Sequence, residues 1–198
     1  MKPLSLSTPH VIVMVGIPGA GKSYFAEHFA ETFSAPLVSF HTLESELYNS
    51  PSHDSGENAV TKRVASYVFG ELLKTQRTIV YDGATDSRTD RTDIARAARA
   101  AGYNVLFIWV QTESASARAR ALKQSANHSA ISEEQFDSRI KHFTAPHETE
   151  KAVVISGKHT YASQLKIVLK RLIDPREPVV TERTTPPTRP TGPRIILR

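Results

Sequence analysis

Two rhythms of apolar residues alternate along this chain: short unbroken runs, and longer stretches with an apolar position every three or four residues. The run Val11-Ile12-Val13-Met14-Val15 predicts a first buried strand. Residues 35–40 and 77–81 predict a second and a third, the latter ending at Asp82-Gly83. Residues 103–110 form a nearly continuous apolar run, as expected of a strand covered on both faces. Residues 152–156 predict a fifth strand.

Between these runs the spacing turns helical. Helices are expected over 24–30, over 41–48 with Leu43 and Leu47 on one face, and over 58–75 with Val60, Val64, Val68 and Leu72 as the apolar row. Further helices are expected over 87–101 with Gly102 as C-cap, over 113–125, over 132–143 and over 161–173. Ser132-Glu133-Glu134-Gln135 has the form of a capping box. Residues 49–57 are polar and turn-rich, so they predict an exposed loop. Strands alternating with helices call for right-handed crossovers. The expected fold is therefore α/β, a three-layer arrangement of about five parallel strands with helices on both faces.

Composition changes the picture at the C-terminal end. After Asp174 six prolines and five arginines, from Pro175 to Arg198, are interspersed with threonine, which suits neither helix nor central strand. The 198 residues thus divide into a domain over 1–174 and a Pro/Thr/Arg-rich tail over 175–198. The apolar Ile195-Ile196-Leu197 offers that tail a docking point on the domain or a partner. A net charge of +5 suits a polyanionic or protein partner for the basic tail, and equally a solubilising surface. The absence of cysteine excludes disulfides and thiolate metal sites and agrees with a cytoplasmic location. No apolar stretch reaches the roughly 18 residues of a membrane span, and residues 1–10 lack the pattern of a signal peptide.

The chemistry is concentrated just after the first strand. Gly16-Ile17-Pro18-Gly19-Ala20-Gly21-Lys22-Ser23 is G-x-x-x-x-G-K-S in its required setting, strand, loop, then a helix opening near Tyr24. Glycines let successive N–H groups converge on one phosphate, and the helix adds its positive end. Lys22 is placed to reach the β- and γ-phosphates, and Ser23 to ligate Mg²⁺. The expected cofactors are ATP and Mg²⁺, with Gly16 to Tyr24 as the binding segment.

Other candidates follow from the expected strand ends. Asp82 lies on the same sheet edge as the loop and can hold Mg²⁺ or take a proton from an acceptor hydroxyl. A turn aspartate before Gly83 is the plain alternative. His41 ends the second expected strand and titrates near neutrality, so it too is a candidate base, although a loop histidine is as natural. Arg88 and Arg91 open a helix, where cations oppose the dipole, which points to an anion facing them, although a solvated face is as natural. Arg118, Arg120 and Lys123 follow the fourth strand, and Arg118 is the first candidate to stabilise charge on a transferred phosphoryl, with a solvated surface charge as the plain alternative. Glu44 and Glu46 read as surface charges, and Phe143, Pro146 and Glu148 as a helix exit and turn.

Together these segments resemble the predicted P-loop kinases related to the kinase domain of bacteriophage polynucleotide kinase, and more distantly the zeta toxins. The resemblance spans residues 11 to about 173. It rests on the phosphate loop, on Val80-Tyr81-Asp82-Gly83-Ala84-Thr85 with Arg88 and Arg91, on Arg118, and on Phe143 to Glu148 followed by Val153-Val154-Ile155. It implies transfer of the γ-phosphoryl of ATP to a hydroxyl: a nucleic-acid 5′-OH, a nucleotide or a small molecule. It departs from the family in two places. His41-Thr42-Leu43-Glu44 stands where that family carries Asp and then Arg, and Leu122 stands where a second lid arginine is usual. The first departure keeps open an ATP-binding module or weak ATPase without a kinase activity.

Overall fold

The computed structural model describes residues 8–49, 51–52, 54–123 and 131–173. Five strands alternate with helices: β1 (His10–Val15), β2 (Leu37–Ser39), β3 (Ile79–Asp82), β4 (Asn104–Gln111) and β5 (Val153–Ser156). The helices are α1 (Lys22–Phe33), α2 (Phe40–Leu47), α3 (Ser55–Leu73), α4 (Arg88–Ala100), α5 (Ser114–Ala121), α6 (Glu133–His142) and α7 (Tyr161–Ile173), with a 3-10 turn at Glu148–Glu150. The sheet runs β2-β3-β1-β4-β5 with every pairing parallel. The expected architecture is the observed one.

β1 is central, and all six of its residues are buried. Because strand side chains alternate, Val11, Val13 and Val15 face one layer while Ile12 and Met14 face the other. The first layer packs on Ala65, Phe69 and Leu73 of α3 and Ile94, Ala95 and Ala98 of α4. The second packs on Phe25, Ala26, Phe29 and Ala30 of α1 and Val168 of α7. With β3 on one side of β1 and β4 on the other, successive crossovers diverge at the carboxyl end of β1, where a doubly wound sheet opens a binding crevice.

Several details differ from expectation, each for a local reason. β2 stops at Ser39 because its side chain accepts from the Thr42 amide and caps α2, so Phe40 and His41 begin a helix rather than end a strand. On α3 the buried row is Thr61, Ala65, Phe69 and Leu73, one position on from the expected one, and Val60 is 49 % exposed. The Phe69 ring sets this rotation by meeting Tyr81 edge-on at 5.2 Å. α5 ends at Ala121, earlier than expected. α7 matches its expected bounds, and the Ser132/Gln135 capping box is present in both directions. The tail over 175–198 lies outside the described residues. Among the described residues no helix is long and apolar enough to cross a membrane.

Candidate nucleotide site

The loop between β1 and α1 turns tightly, with the Ala20 amide donating to the Ile17 carbonyl at 3.1 Å. α1 starts at Lys22 with no side-chain cap and no acidic residue in its first turn. Its first N–H groups and the positive end of its dipole are thus left for an external anion. Lys22 folds over the loop and donates from Nζ to the carbonyls of Gly16 (2.7 Å) and Ile17 (3.1 Å). Burial depresses the Lys22 ammonium below lysine's ordinary value. Asp82 and Asp86 act against that depression, and Arg139 adds to it. A phosphate would add a nearer opposite charge to this partly buried cation.

Ser23 Oγ donates to Asp82 Oδ2 at 2.6 Å, so the second helical residue and the end of β3 meet beside the lysine. Two hard oxygen donors in contact fit a Mg²⁺ ion that completes its shell with water and phosphate oxygens. Asp82 is buried, and Ser39 of β2 is its partner in register. That places His41, two residues after Ser39, at the same edge of the sheet. The turn after β3 is fixed by Thr85, whose buried hydroxyl donates to the Met14 carbonyl of β1 at 2.7 Å.

The other wall is formed by α5 and the turn after β5. At Gly19 (φ +73°) any Cβ would overlap the Ala117 carbonyl of α5, so the loop crown lies directly under that helix. A Cβ on Gly157 would overlap the Ala20 carbonyl and the Thr112 hydroxyl, and Thr112 Oγ1 donates to that same carbonyl at 2.9 Å. Arg120 donates to the Gly157 carbonyl at 3.0 Å. Beside this wall a cavity of about 410 Å³ is lined by Ile17, Trp109, Thr112, Phe143, Ser156 and Lys158.

The expected site residues sort accordingly. Lys22, Ser23 and Asp82 come together, and His41 lies in the first turn of α2, just past the neighbouring strand β2. Tyr24, on α1, is half-exposed and packs its ring 4.3 Å from His28. Arg118 is held by α6, pairing with Glu133 (3.2 Å) and Asp137 (2.9 Å), with its guanidinium 5.6 Å from the Phe136 ring centre. Arg91 does face an anion, but one of its own chain: it is fully buried and pairs with Glu150 at 2.7 Å. Glu44 is buried rather than a surface charge.

Four residues near the loop escaped sequence reasoning: Asp86, Thr112, Arg139 and Gly157. Gly157 carried a readable signal, a glycine immediately after a strand on the loop edge. The other three are ordinary polar residues whose position depends on tertiary packing.

The AAA domain family model, AAA_33, matches residues 11–146, from the first buried strand through the phosphate loop, β3, α5 and α6. The chain belongs to this AAA domain family. No protein of curated function matches the sequence. Three solved structures show that this AAA_33 chain shares the fold of P-loop proteins. A gluconokinase from Sinorhizobium meliloti 1021 superposes with a TM-score of 0.59 at 16% identity, covering 85% of this chain and 93% of that one. Kti12 from Chaetomium thermophilum, in complex with ADP-AlF3, gives 0.61 at 14%, covering 81% and 96%. A chain of the Pnkp1/Rnl/Hen1 RNA repair complex gives 0.57 at 16%, covering 78% of this chain and 47% of that one.

Proposed function

We propose that this AAA_33 domain is an ATP-dependent kinase that passes the γ-phosphoryl group to a hydroxyl acceptor. The observation that carries the proposal is the partly buried Lys22, folded over the phosphate loop beside an uncapped helix N-terminus and the Ser23–Asp82 pair. In this reading the loop amides and Lys22 hold the β- and γ-phosphates. Ser23 and Asp82 would hold Mg²⁺, which when bound neutralises phosphate charge. The cavity beside Ile17 borders the loop and is offered to the nucleoside. The acceptor oxygen attacks the γ-phosphorus and the bond to the β-phosphate oxygen breaks. The acceptor proton passes to His41, or to Asp82 where Ser23 alone holds the ion, leaving ADP and a phosphorylated acceptor. Arg118 we assign to the lid formed by α5 and α6.

A second reading has one specific observation in its favour. His41-Thr42-Leu43-Glu44 brings no aspartate to the end of β2, which suits a nucleotide-binding module or weak ATPase. Incubation with γ-labelled ATP and Mg²⁺, against 5′-hydroxyl oligonucleotides, nucleosides, nucleotide-sugars and small polyols, separates the two. Labelled acceptor that disappears in Lys22→Ala is the expected result. Label released only as inorganic phosphate would favour the ATPase, and intact ATP would overturn both enzyme readings and leave the binding module.

A further inference from the structure

Both arginines of α5 already have partners. Arg118 is committed to Glu133 and Asp137, and Arg120 to the Gly157 carbonyl in the turn after β5. Arg139, on the last turn of α6, instead reaches across to the β3–α4 turn and pairs with Asp86 through Nε at 3.5 Å. Asp86 follows Thr85, which is anchored to β1, and both Asp86 and Arg139 lie close enough to Lys22 for their charges to act on it. The Arg139 side chain is half-exposed, so it can turn without disturbing the core.

The end of α6 is meanwhile held in place independently of that ion pair. The Thr144 amide donates to the Asp86 carbonyl at 2.8 Å, and the buried Arg91 donates to the carbonyls of Thr85 and Thr144, both at 2.9 Å. Arg91 also pairs with Glu150. The backbone on both sides of the Arg139–Asp86 pair is therefore fixed, and only the two side chains are free to exchange partners.

We infer that Asp86 is a resident stand-in for phosphate: Arg139 holds it in the nucleotide-free protein and exchanges it for the γ-phosphoryl group. This rests on the nucleotide-binding reading above. Arg139 is then the residue that contacts the transferring group, and Asp86 is a competitor that nucleotide displaces. The two residues must act in opposite directions, which a merely structural ion pair would not produce.

The test is calorimetric titration with Mg·ADP, with and without aluminium fluoride, which mimics the transferring phosphoryl group. Arg139→Ala should lose 30-fold or more in affinity for the fluoride complex while ADP affinity changes less than about threefold. Arg139→Lys should recover part of the loss. Asp86→Ala should bind the fluoride complex at least as tightly as the wild type, and Arg96→Ala, at an exposed position on α4, should change the ratio little. Equal weakening by Asp86→Ala and Arg139→Ala, or a loss confined to Arg118→Ala, would overturn the inference while leaving the nucleotide reading intact. A wild type that binds no ADP would overturn both.

Discussion

The buried charges of this domain have separate tasks. Lys22 is a desolvated cation waiting for an anion, whereas Arg91 already has one in Glu150. Burial pushes the Glu150 carboxyl up, but bonds from Arg91 and the His147 amide, with the charges of Arg91 and Arg88, outweigh it and hold its pKa below the ordinary value. A depressed native pKa contributes stability that is complete above the unfolded value and lost as pH falls through the native one. Urea midpoints on either side of glutamate's ordinary pKa of about 4.3 should therefore show an acid limb that Glu150→Gln flattens. An unchanged limb would mean the pair contributes nothing. Removing the carboxylate with Glu150→Ala should cost about 3–5 kcal/mol, because the Arg91 guanidinium is left buried without its anion. Gly19→Ala should cost roughly 1–3 kcal/mol in urea unfolding, since it strains the loop and pushes α5 away. At this scale the phosphate loop was legible because its glycines, lysine and serine lie together in sequence. The Asp86–Arg139 pair was not, because only the folding of α6 back over the β3–α4 turn brings its halves together.

Among the elements, α7 and the α6 capping box follow directly from local pattern. α3 shows where that pattern gives out. Val60, Val64, Val68 and Leu72 and the row one position on lie only 100° apart around a helix, so spacing alone does not choose between them. The choice falls to the large aromatic: Phe69 docks on Tyr81 and carries Ala65 and Leu73 inward, while the Thr61 hydroxyl is satisfied by the Glu57 carbonyl. Phe69→Ala should cost about 3–5 kcal/mol, and Val60→Ser should stay within about 0.5 kcal/mol. The reverse ranking would place the wrong face in the core. β2 was legible as a strand but not in length, since Ser39 uses its side chain to start α2 and so draws His41 into a helix. Ser132→Ala, which removes the cap of α6, should lower stability by about 1 kcal/mol and can be followed in the same unfolding assay.

Across the whole molecule, the order β2-β3-β1-β4-β5 gathers at one edge groups that are scattered through the chain. The loop follows the central strand, Asp82 ends the strand on one side, and Thr112 and Gly157 follow the two strands on the other. The fold was legible because each strand is a distinct apolar run and the alternation with helices leaves few topologies. The acceptor was not, because no local pattern in the chain names a hydroxyl substrate. The claim on which all of this depends is that the Gly16–Ser23 loop holds a nucleoside triphosphate through Lys22. The most direct measurement is a calorimetric titration of Mg·ATP into the wild type and Lys22→Ala, both first shown to unfold at similar urea concentrations. The account expects one ATP per wild-type chain and a loss of about 100-fold or more in the variant. Equal affinities in the two proteins, or no binding by the wild type, would contradict it.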